Sequence, residues 1–273
     1  MSFFESILYG FISGLTEFLP VSSQGHQAVL LQLFGLDARE PVRDLLVHIG
    51  ILSALLAANK PFINYLQREM ELMNSRRRPR GERRGVYELQ LLKMSVLPLL
   101  GGFFAYLSLS KLEHNMVALA IVFVFNGIIL IIPEYIRHGN KDSRFMTGWD
   151  GILLGLSGAV SAVPGISRIG MMNLYTVSRG VDRSHGMNWA FVLSIPILLL
   201  LMGFDIVNLF VLPLGTVTFS AIFMYIVSAV AAFCGGYFGV LSLRYLAVHT
   251  GFAGFAYYSW GIAMFSFVLY LIV

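Results

Sequence analysis

Two polar segments interrupt an otherwise apolar chain, and they carry the residues whose types could do chemistry. Residues 13–26 read SGLTEFLPVSSQGH and residues 155–170 read GLSGAVSAVPGISRIG. Each segment has Gly-Leu, then a proline, then a serine three residues after the proline, then a glycine. The segments fall in corresponding places in the two halves of the chain. Such a pair indicates an inverted repeat of discontinuous helices with a binding site near the middle of a membrane.

The arginine and the serines of these segments are suited to binding a phosphate. Arg168 can hold a phosphate through two parallel N–H bonds, and it keeps its charge at any relevant pH. A helix break frees backbone N–H groups, and a half-helix N-terminus with free N–H groups favours an oxyanion. An arginine inside the membrane is costly and by default indicates a functional site. We predict that the phosphate is bound by Ser22, Ser23, Gly165, Ser167 and Arg168.

Glu17 is a lone carboxylate, and His26 is a titratable imidazole nine residues further along. A carboxylate beside a phosphate is repelled unless it is protonated, bridged by a cation or paired with Arg168. Plainer alternatives are open for both groups. Glu17 and Arg168 could form a structural ion pair that closes the two halves, and His26 could cap a helix or bond a carbonyl. The serines could be small residues that pack helices closely.

The composition predicts an all-α polytopic membrane protein. Of the 273 residues 57% are apolar and 12% are charged, whereas a soluble domain has roughly 25% charged residues. A membrane helix needs about 20 mostly apolar residues. Six full spans are predicted at 44–66, 89–109, 116–136, 188–210, 217–241 and 252–273. We expect one membrane domain, 1–273, with repeats at 1–136 and 137–273.

Basic residues cluster in two loops, which predicts the orientation in a plasma membrane. Loop 67–88 has seven arginines and loop 137–148 has three basic residues. Both loops should be cytoplasmic by the positive-inside rule, and a weaker alternative is that they bind anionic lipid headgroups. The net charge of +4 lies mostly in these loops, so it does not indicate a nucleic-acid partner.

At the two polar segments the sequence resembles the undecaprenyl-diphosphate phosphatase family of bacterial envelope synthesis, also called the bacitracin-resistance family. The matching motifs are LTEFLPVSS at 15–23, Gly25-His26, and PGISR at 164–168. The resemblance runs along most of the chain. It implies six full spans plus two re-entrant pairs of broken helices in an inverted repeat. It also implies a bacterial inner-membrane location, a pocket open to the outer side, and it allows a homodimer.

The resemblance also implies an activity, which is removal of the terminal phosphate from undecaprenyl diphosphate with help from a divalent cation, Mg²⁺ or Ca²⁺. Carried over by position, Glu17 matches the second acid of the family's paired-acid motif. Ser22, Ser23 and His26 match its hydroxyl and imidazole positions, and Ser167 with Arg168 matches its phosphate-gripping pair.

Several positions depart from the family pattern. Ser13 stands where the family has Glu or Gln four residues before Glu17, so one acid of the pair is missing. Other changes are Gln24 for Thr, Ile169 for Ser, Met172 for Thr, Asn188 for Glu and His48 for Gln. These changes are expected to remove polar groups from the pocket and to add apolar bulk. His48 or Asp44 could compensate if either reached the pocket.

Two functions follow from this pattern. In the first, the chain is an enzyme: Arg168 and Ser167 hold the terminal phosphate, and His26, a serine hydroxyl or water attacks phosphorus. Glu17 then acts as the base or as a ligand of the cation. In the second, the same pocket binds or translocates a polyprenyl phosphate without hydrolysis, and the repeats rock around it. The feature that favours the second function is the clustered loss of polar residues at the site, at Ser13, Ile169 and Met172, while the scaffold is retained.

Overall fold

The computed structural model describes residues 1–36, 40–74, 87–137, 139–211 and 218–272. Within these residues the chain forms eleven α-helices. They are α1 (Phe3–Phe18), α2 (Ser23–Leu33), α3 (Pro41–Ala58), α4 (Lys60–Asn74), α5 (Glu88–Leu109), α6 (Met116–Ile131), α7 (Gly148–Ala159), α8 (Arg168–Ser178), α9 (Arg183–Val211), α10 (Phe219–His249) and α11 (Ala253–Ile272). Short 3-10 turns extend α5 through Ser110–His114 and α6 through Ile132–Tyr135.

Six helices are long and apolar enough to cross a membrane, as the sequence predicted. They are Pro41–Ala58, Glu88–His114, Met116–Tyr135, Arg183–Val211, Phe219–His249 and Ala253–Ile272. Together with the all-helical architecture they confirm a multi-pass membrane protein. Helices form most of their backbone hydrogen bonds within each span, as the lipid environment requires. Pro98 inside α5 and Pro196 inside α9 each remove one N–H donor from this pattern.

The first predicted span is wrong at its C-terminal end. Helix α3 ends at Ala58, Asn59 follows, and a separate helix, α4, begins at Lys60. The physical reason is local, because Pro61 in the first turn of α4 has no N–H for a continuing helix. The predicted loop 67–88 therefore starts as helix. Arg68 lies on α4, and the other six arginines of that loop lie outside the described residues.

The two polar segments each form a pair of short helices, α1 with α2 and α7 with α8. Both pairs begin with a capping box, Ser2 with Glu5 before α1 and Thr147 with Asp150 before α7. Both also pack on a spanning helix in the same way. Ser228 of α10 donates to the Ser6 carbonyl of α1 at 2.9 Å. Ser95 of α5 donates to the Gly151 carbonyl of α7 at 2.8 Å. The paths of these pairs relative to a bilayer and the repeat boundaries stay predictions.

Candidate functional site

Helix α1 ends where Pro20 restricts the residue before it. Leu19 has an extended backbone (φ −92°, ψ 154°), which is the conformation that a following proline favours. Ser22 then turns with φ +68° and caps α2, and its hydroxyl oxygen accepts from the Gly25 N–H at 3.4 Å. The N-terminus of α2 therefore begins directly after the break, only a few residues from Glu17.

Helix α7 ends in a similar break. Val163 is extended (φ −78°, ψ 113°) before Pro164, and Gly165 follows with φ +102°. Ser167 caps α8, and its hydroxyl oxygen accepts from the Gly170 N–H at 3.1 Å. Arg168 is the first residue of α8. The break thus places the arginine at a helix N-terminus.

The capping pattern changes the correspondence between the two segments. Counting from the prolines equates Ser23 with Ser167. In the structure Ser22 and Ser167 are the two N-cap residues, and Ser23 and Arg168 are the first residues of α2 and α8. The reason is that the second break has one more residue between the proline and its N-cap. Ser22 is therefore the counterpart of Ser167, and Ser23 occupies the place of Arg168.

The two breaks are joined directly. The Gly165 N–H donates to the Ser22 hydroxyl at 3.1 Å. Asn126, in the middle of α6, accepts from the Ser167 N–H at 2.8 Å. Its amide nitrogen donates to the Pro20 carbonyl at 3.5 Å. These bonds satisfy buried backbone groups that the helix breaks expose, and they hold the N-termini of α2 and α8 together.

An ion pair crosses this junction. Arg168 donates to Oε1 of Glu17, and the Ser23 hydroxyl donates to Oε2 of the same carboxylate. The side chains of Arg168 and Glu17 are 10% and 8% exposed. The Arg168 Nε is buried without a hydrogen-bond partner among the described residues. The guanidinium therefore has a donor to spare beyond its bond to Glu17.

A cleft of about 530 Å³, including its open mouth, surrounds this ion pair. Helices α1, α2, α3, α8 and α9 contribute to it, together with the turn at Ser161. Its polar lining includes Glu17, Ser22, Ser23, Gln24, His48, Ser161, Ser167 and Arg168. Five of the predicted site residues therefore line one cleft. They are Glu17, Ser22, Ser23, Ser167 and Arg168.

Two predicted residues lie beside the cleft and not on it. His26 Nδ1 is 2.7 Å from the Ser22 carbonyl oxygen, and its Nε2 is 2.9 Å from the Tyr258 hydroxyl. The ring also stacks on Tyr258. Both ring nitrogens are thus engaged in hydrogen bonds. The Gly165 N–H is likewise engaged with Ser22. The catalytic role of His26 and the phosphate contact of Gly165 stay predictions.

The expected gain of apolar bulk in the pocket is wrong. Ile169 and Met172 are 1% and 0% exposed and belong to the main hydrophobic core. Neither lines the cleft, because each points away from it on α8. Asn188 accepts from Arg244 at 3.4 Å, also outside the cleft. Ser13 is fully buried in α1 and does not line the cleft either.

Of the two residues that could compensate for the missing acid, one reaches the cleft. His48 lines it. Asp44 does not, since it pairs with Arg43 at 2.9 Å and accepts from the Tyr9 hydroxyl at 3.2 Å.

The side chains near Glu17 include few of the ligands that a divalent cation requires from a protein. No group of three His, Cys, Asp or Glu side chains gathers in the described part of the chain. Mg²⁺, however, is usually held by one or two carboxylates together with phosphate oxygens of the substrate. Glu17 and the neighbouring Ser23 hydroxyl are the oxygen groups that would contribute to a site of that type, once Glu17 is released from its bond to Arg168.

Sequence reasoning did not select Asn126 or Asp205. Asn126 lies in the span 116–136, and Asp205 lies in the span 188–210. Asn126 joins the two breaks, and Asp205 bonds His48. A polar side chain in an apolar span is itself a signal of function or of interhelical bonding. That signal was present at both positions.

Gly165→Ala is expected to destabilise the junction. The positive φ of Gly165 is strained for alanine, and a Cβ there would lie 2.7 Å from Val122 Cγ1. We expect a loss of about 1–3 kcal/mol in unfolding free energy, the usual cost of such a backbone conformation. Thermal unfolding of the purified protein in detergent measures it. Gly101→Ala is the control, because nothing lies within 4 Å of that Cβ. A melting temperature equal to that of the control would contradict the strain argument.

The chain is similar to known proteins along most of its length. The family model described as "Bacitracin resistance protein BacA" matches residues 6–265. A protein of Shouchella clausii named "Undecaprenyl-diphosphatase 1" is 26% identical over 98% of this chain and 96% of its own length. Proteins named "Undecaprenyl-diphosphatase" from Carboxydothermus hydrogenoformans and Thermosipho melanesiensis are each 29% identical. They cover 95% and 96% of this chain and 94% and 98% of their own lengths.

Proposed function

Since the chain belongs to the bacitracin resistance protein BacA family, we propose that it is a membrane phosphatase that hydrolyses undecaprenyl diphosphate, the lipid carrier of cell-envelope synthesis. The observation that carries this function is the buried Glu17–Arg168 ion pair at the junction of two helix N-termini. In an apolar bundle such a site is suited to an anionic headgroup whose hydrocarbon tail stays in the lipid.

The cleft can bind the terminal phosphate through several donors. Arg168 supplies a charged fork with a free Nε–H. The Ser22 and Ser167 hydroxyl oxygens accept from backbone N–H groups, so their own protons are available to donate. The first N–H groups of α2 and α8 have no partner within their helices and face an anion with a favourable dipole. The bound phosphate competes with Glu17 for Arg168.

Hydrolysis then needs an attacking water and charge neutralisation. Water adds to the terminal phosphorus, the bond from phosphorus to the bridging oxygen breaks, and the products are undecaprenyl phosphate and inorganic phosphate. Most catalysis of phosphoryl transfer is positioning and electrostatic stabilisation. Arg168 stabilises charge on the phosphoryl oxygens, and Glu17, once displaced from Arg168, is free to orient the water. A divalent cation, when bound, would neutralise charge on the diphosphate, and Glu17 is the residue that would hold it.

The orientation follows from the basic segments. We place residues 67–88 and 137–148 in the cytoplasm of a bacterial inner membrane. His48 then lies in the outer half of α3 and Asp205 in the outer half of α9, since the basic segments adjoin the opposite ends of both helices. The cleft therefore faces the outer leaflet, and the two helix pairs enter the bilayer from opposite sides. A homodimer is compatible with this arrangement.

Phosphate release from undecaprenyl diphosphate by the purified protein in detergent tests the function. Parallel reactions contain Mg²⁺, Ca²⁺ or a chelator. We expect release that requires a cation, because a diphosphate held beside Glu17 needs charge neutralisation. If a folded protein binds the lipid and releases no phosphate under any of these conditions, the phosphatase is excluded, and non-hydrolytic binding or translocation of the lipid replaces it. The polar lining of the cleft supports the phosphatase, and Ile169 and Met172 lie in the core and not on the cleft.

A further inference from the structure

A second acid–base pair reaches the same cleft through His48, which lines it, while Asp205 lies behind His48 and does not line the cleft. His48 Nδ1 is 2.7 Å from Asp205 Oδ2, a contact between α3 and α9. The two side chains are 10% and 11% exposed. The contact joins residues 157 positions apart, so no local pattern accounts for it. A carboxylate that bonds one ring nitrogen fixes the tautomer and orientation of the imidazole.

The free nitrogen of His48 is available to the cleft. His48 is among the residues that line the cleft together with Glu17 and Arg168. Nδ1 is taken by Asp205, and no described residue bonds Nε2. His26 differs in both respects, since it does not line the cleft and both its ring nitrogens are bonded.

The cleft has one carboxylate, so hydrolysis there needs a second group that can accept a proton. Glu17 is the one carboxylate among its lining residues. Ser13, four residues earlier on α1, has a fully buried hydroxyl without a partner among the described residues. Ser13 can therefore supply neither charge nor a base to the cleft. From α10, the backbone of Ala229 and Phe233 lies against Gly50 of α3. The charged groups near His48 are Asp205 on α9, Glu17 and Arg168 at the cleft, and Asp44, which lies four residues earlier on α3 and pairs with Arg43.

We infer that the His48–Asp205 pair is the general base of the phosphatase cleft. The inference rests on the proposed function. Asp205 accepts from the Nδ1–H of His48, which leaves the Nε2 lone pair toward the cleft. Nε2 takes a proton from the attacking water as its oxygen bonds to phosphorus. The electron pair of the broken phosphorus–oxygen bond leaves with undecaprenyl phosphate. The proton on Nε2 then returns to solvent, and Asp205 stabilises the imidazolium meanwhile.

The test compares His48→Gln and Asp205→Asn with the parent protein in the phosphate-release assay across a range of pH. General acid–base help contributes about 10²–10⁴-fold. We expect His48→Gln to lower kcat by about 10²-fold or more with a KM change of less than about 3-fold. The profile of kcat against pH should also change in this variant, because the imidazole is gone. Asp205→Asn should lower kcat as well, because the imidazole loses the partner that orients it.

Controls keep these outcomes separate. His114→Gln, in the exposed turn after α5, should leave kcat and its pH profile unchanged. Thermal unfolding and lipid binding show that each variant is folded.

Two results would overturn the inference, and they differ in what else they affect. If the parent protein is active and His48→Gln keeps kcat within about 3-fold with an unchanged pH profile, the inference alone is wrong. If the parent protein releases no phosphate, the inference and the proposed phosphatase are both wrong.

Discussion

Arg168→Lys is expected to lower kcat/KM for undecaprenyl diphosphate by about 10²-fold or more. Arg168→Ala is expected to lower it by about 10³–10⁵-fold, which is the range for loss of an arginine that stabilises a transferring phosphoryl group. The guanidinium begins α8, bonds Glu17 and keeps a buried Nε–H free. Lysine keeps the charge but has no planar fork for two parallel bonds to phosphate. The two variants therefore separate charge from bidentate geometry.

Initial rates of phosphate release measure this effect, beside lipid binding. Arg144→Ala is the control, because Arg144 lies outside the membrane helices with its guanidinium on Asp142. Alanine at position 168 also leaves Glu17 buried without its partner, which costs about 3–5 kcal/mol when a buried ion pair is broken. Arg168→Lys keeps a positive charge beside Glu17 and therefore avoids this cost. Equal kcat/KM values for Arg168→Lys and the parent would exclude a bidentate contact with the substrate.

Glu17→Gln is expected to lower kcat by about 10²–10⁴-fold while the protein stays folded. Glutamine has the same shape, and its oxygen can still accept from Arg168, so the junction keeps a hydrogen bond. It has no negative charge to orient water or to hold a cation. Removal of the charge also removes repulsion of the diphosphate, so lipid binding should persist or tighten. The cation concentration for half-maximal activity should rise, because glutamine is a weaker ligand.

Three measurements test the prediction for Glu17→Gln. They are phosphate release at several Mg²⁺ concentrations, thermal unfolding and lipid binding. Glu71→Gln is the control, since Glu71 is exposed on α4 and far along the chain from the cleft. A large fall in melting temperature with activity retained at low temperature would assign Glu17 to a structural ion pair. Unchanged activity with an unchanged cation requirement would exclude it as both base and cation ligand.

The sequence by itself determined the helices and the places where they break. The six spans follow from runs of apolar residues, which act through hydropathy along the chain. The breaks follow from Pro20 and Pro164, which restrict the residue before them. The two residues of the ion pair could also be recognised in the sequence, because a carboxylate and an arginine inside apolar segments have few roles. The end of α3 was missed, although Asn59 and Pro61 carried a local signal for it.

Only the tertiary structure decided which side chains meet at the site. Ser22 bonds Gly165 across 143 positions, and His48 bonds Asp205 across 157. Ile169 faces the core, while Arg168, one position before it, faces the cleft. Periodicity within a helix gives relative directions, but in a helix of 11 residues with polar and apolar residues mixed it does not say which direction is the core. The packing of α8 against its neighbours fixes that direction, and with it the side chains that line the cleft.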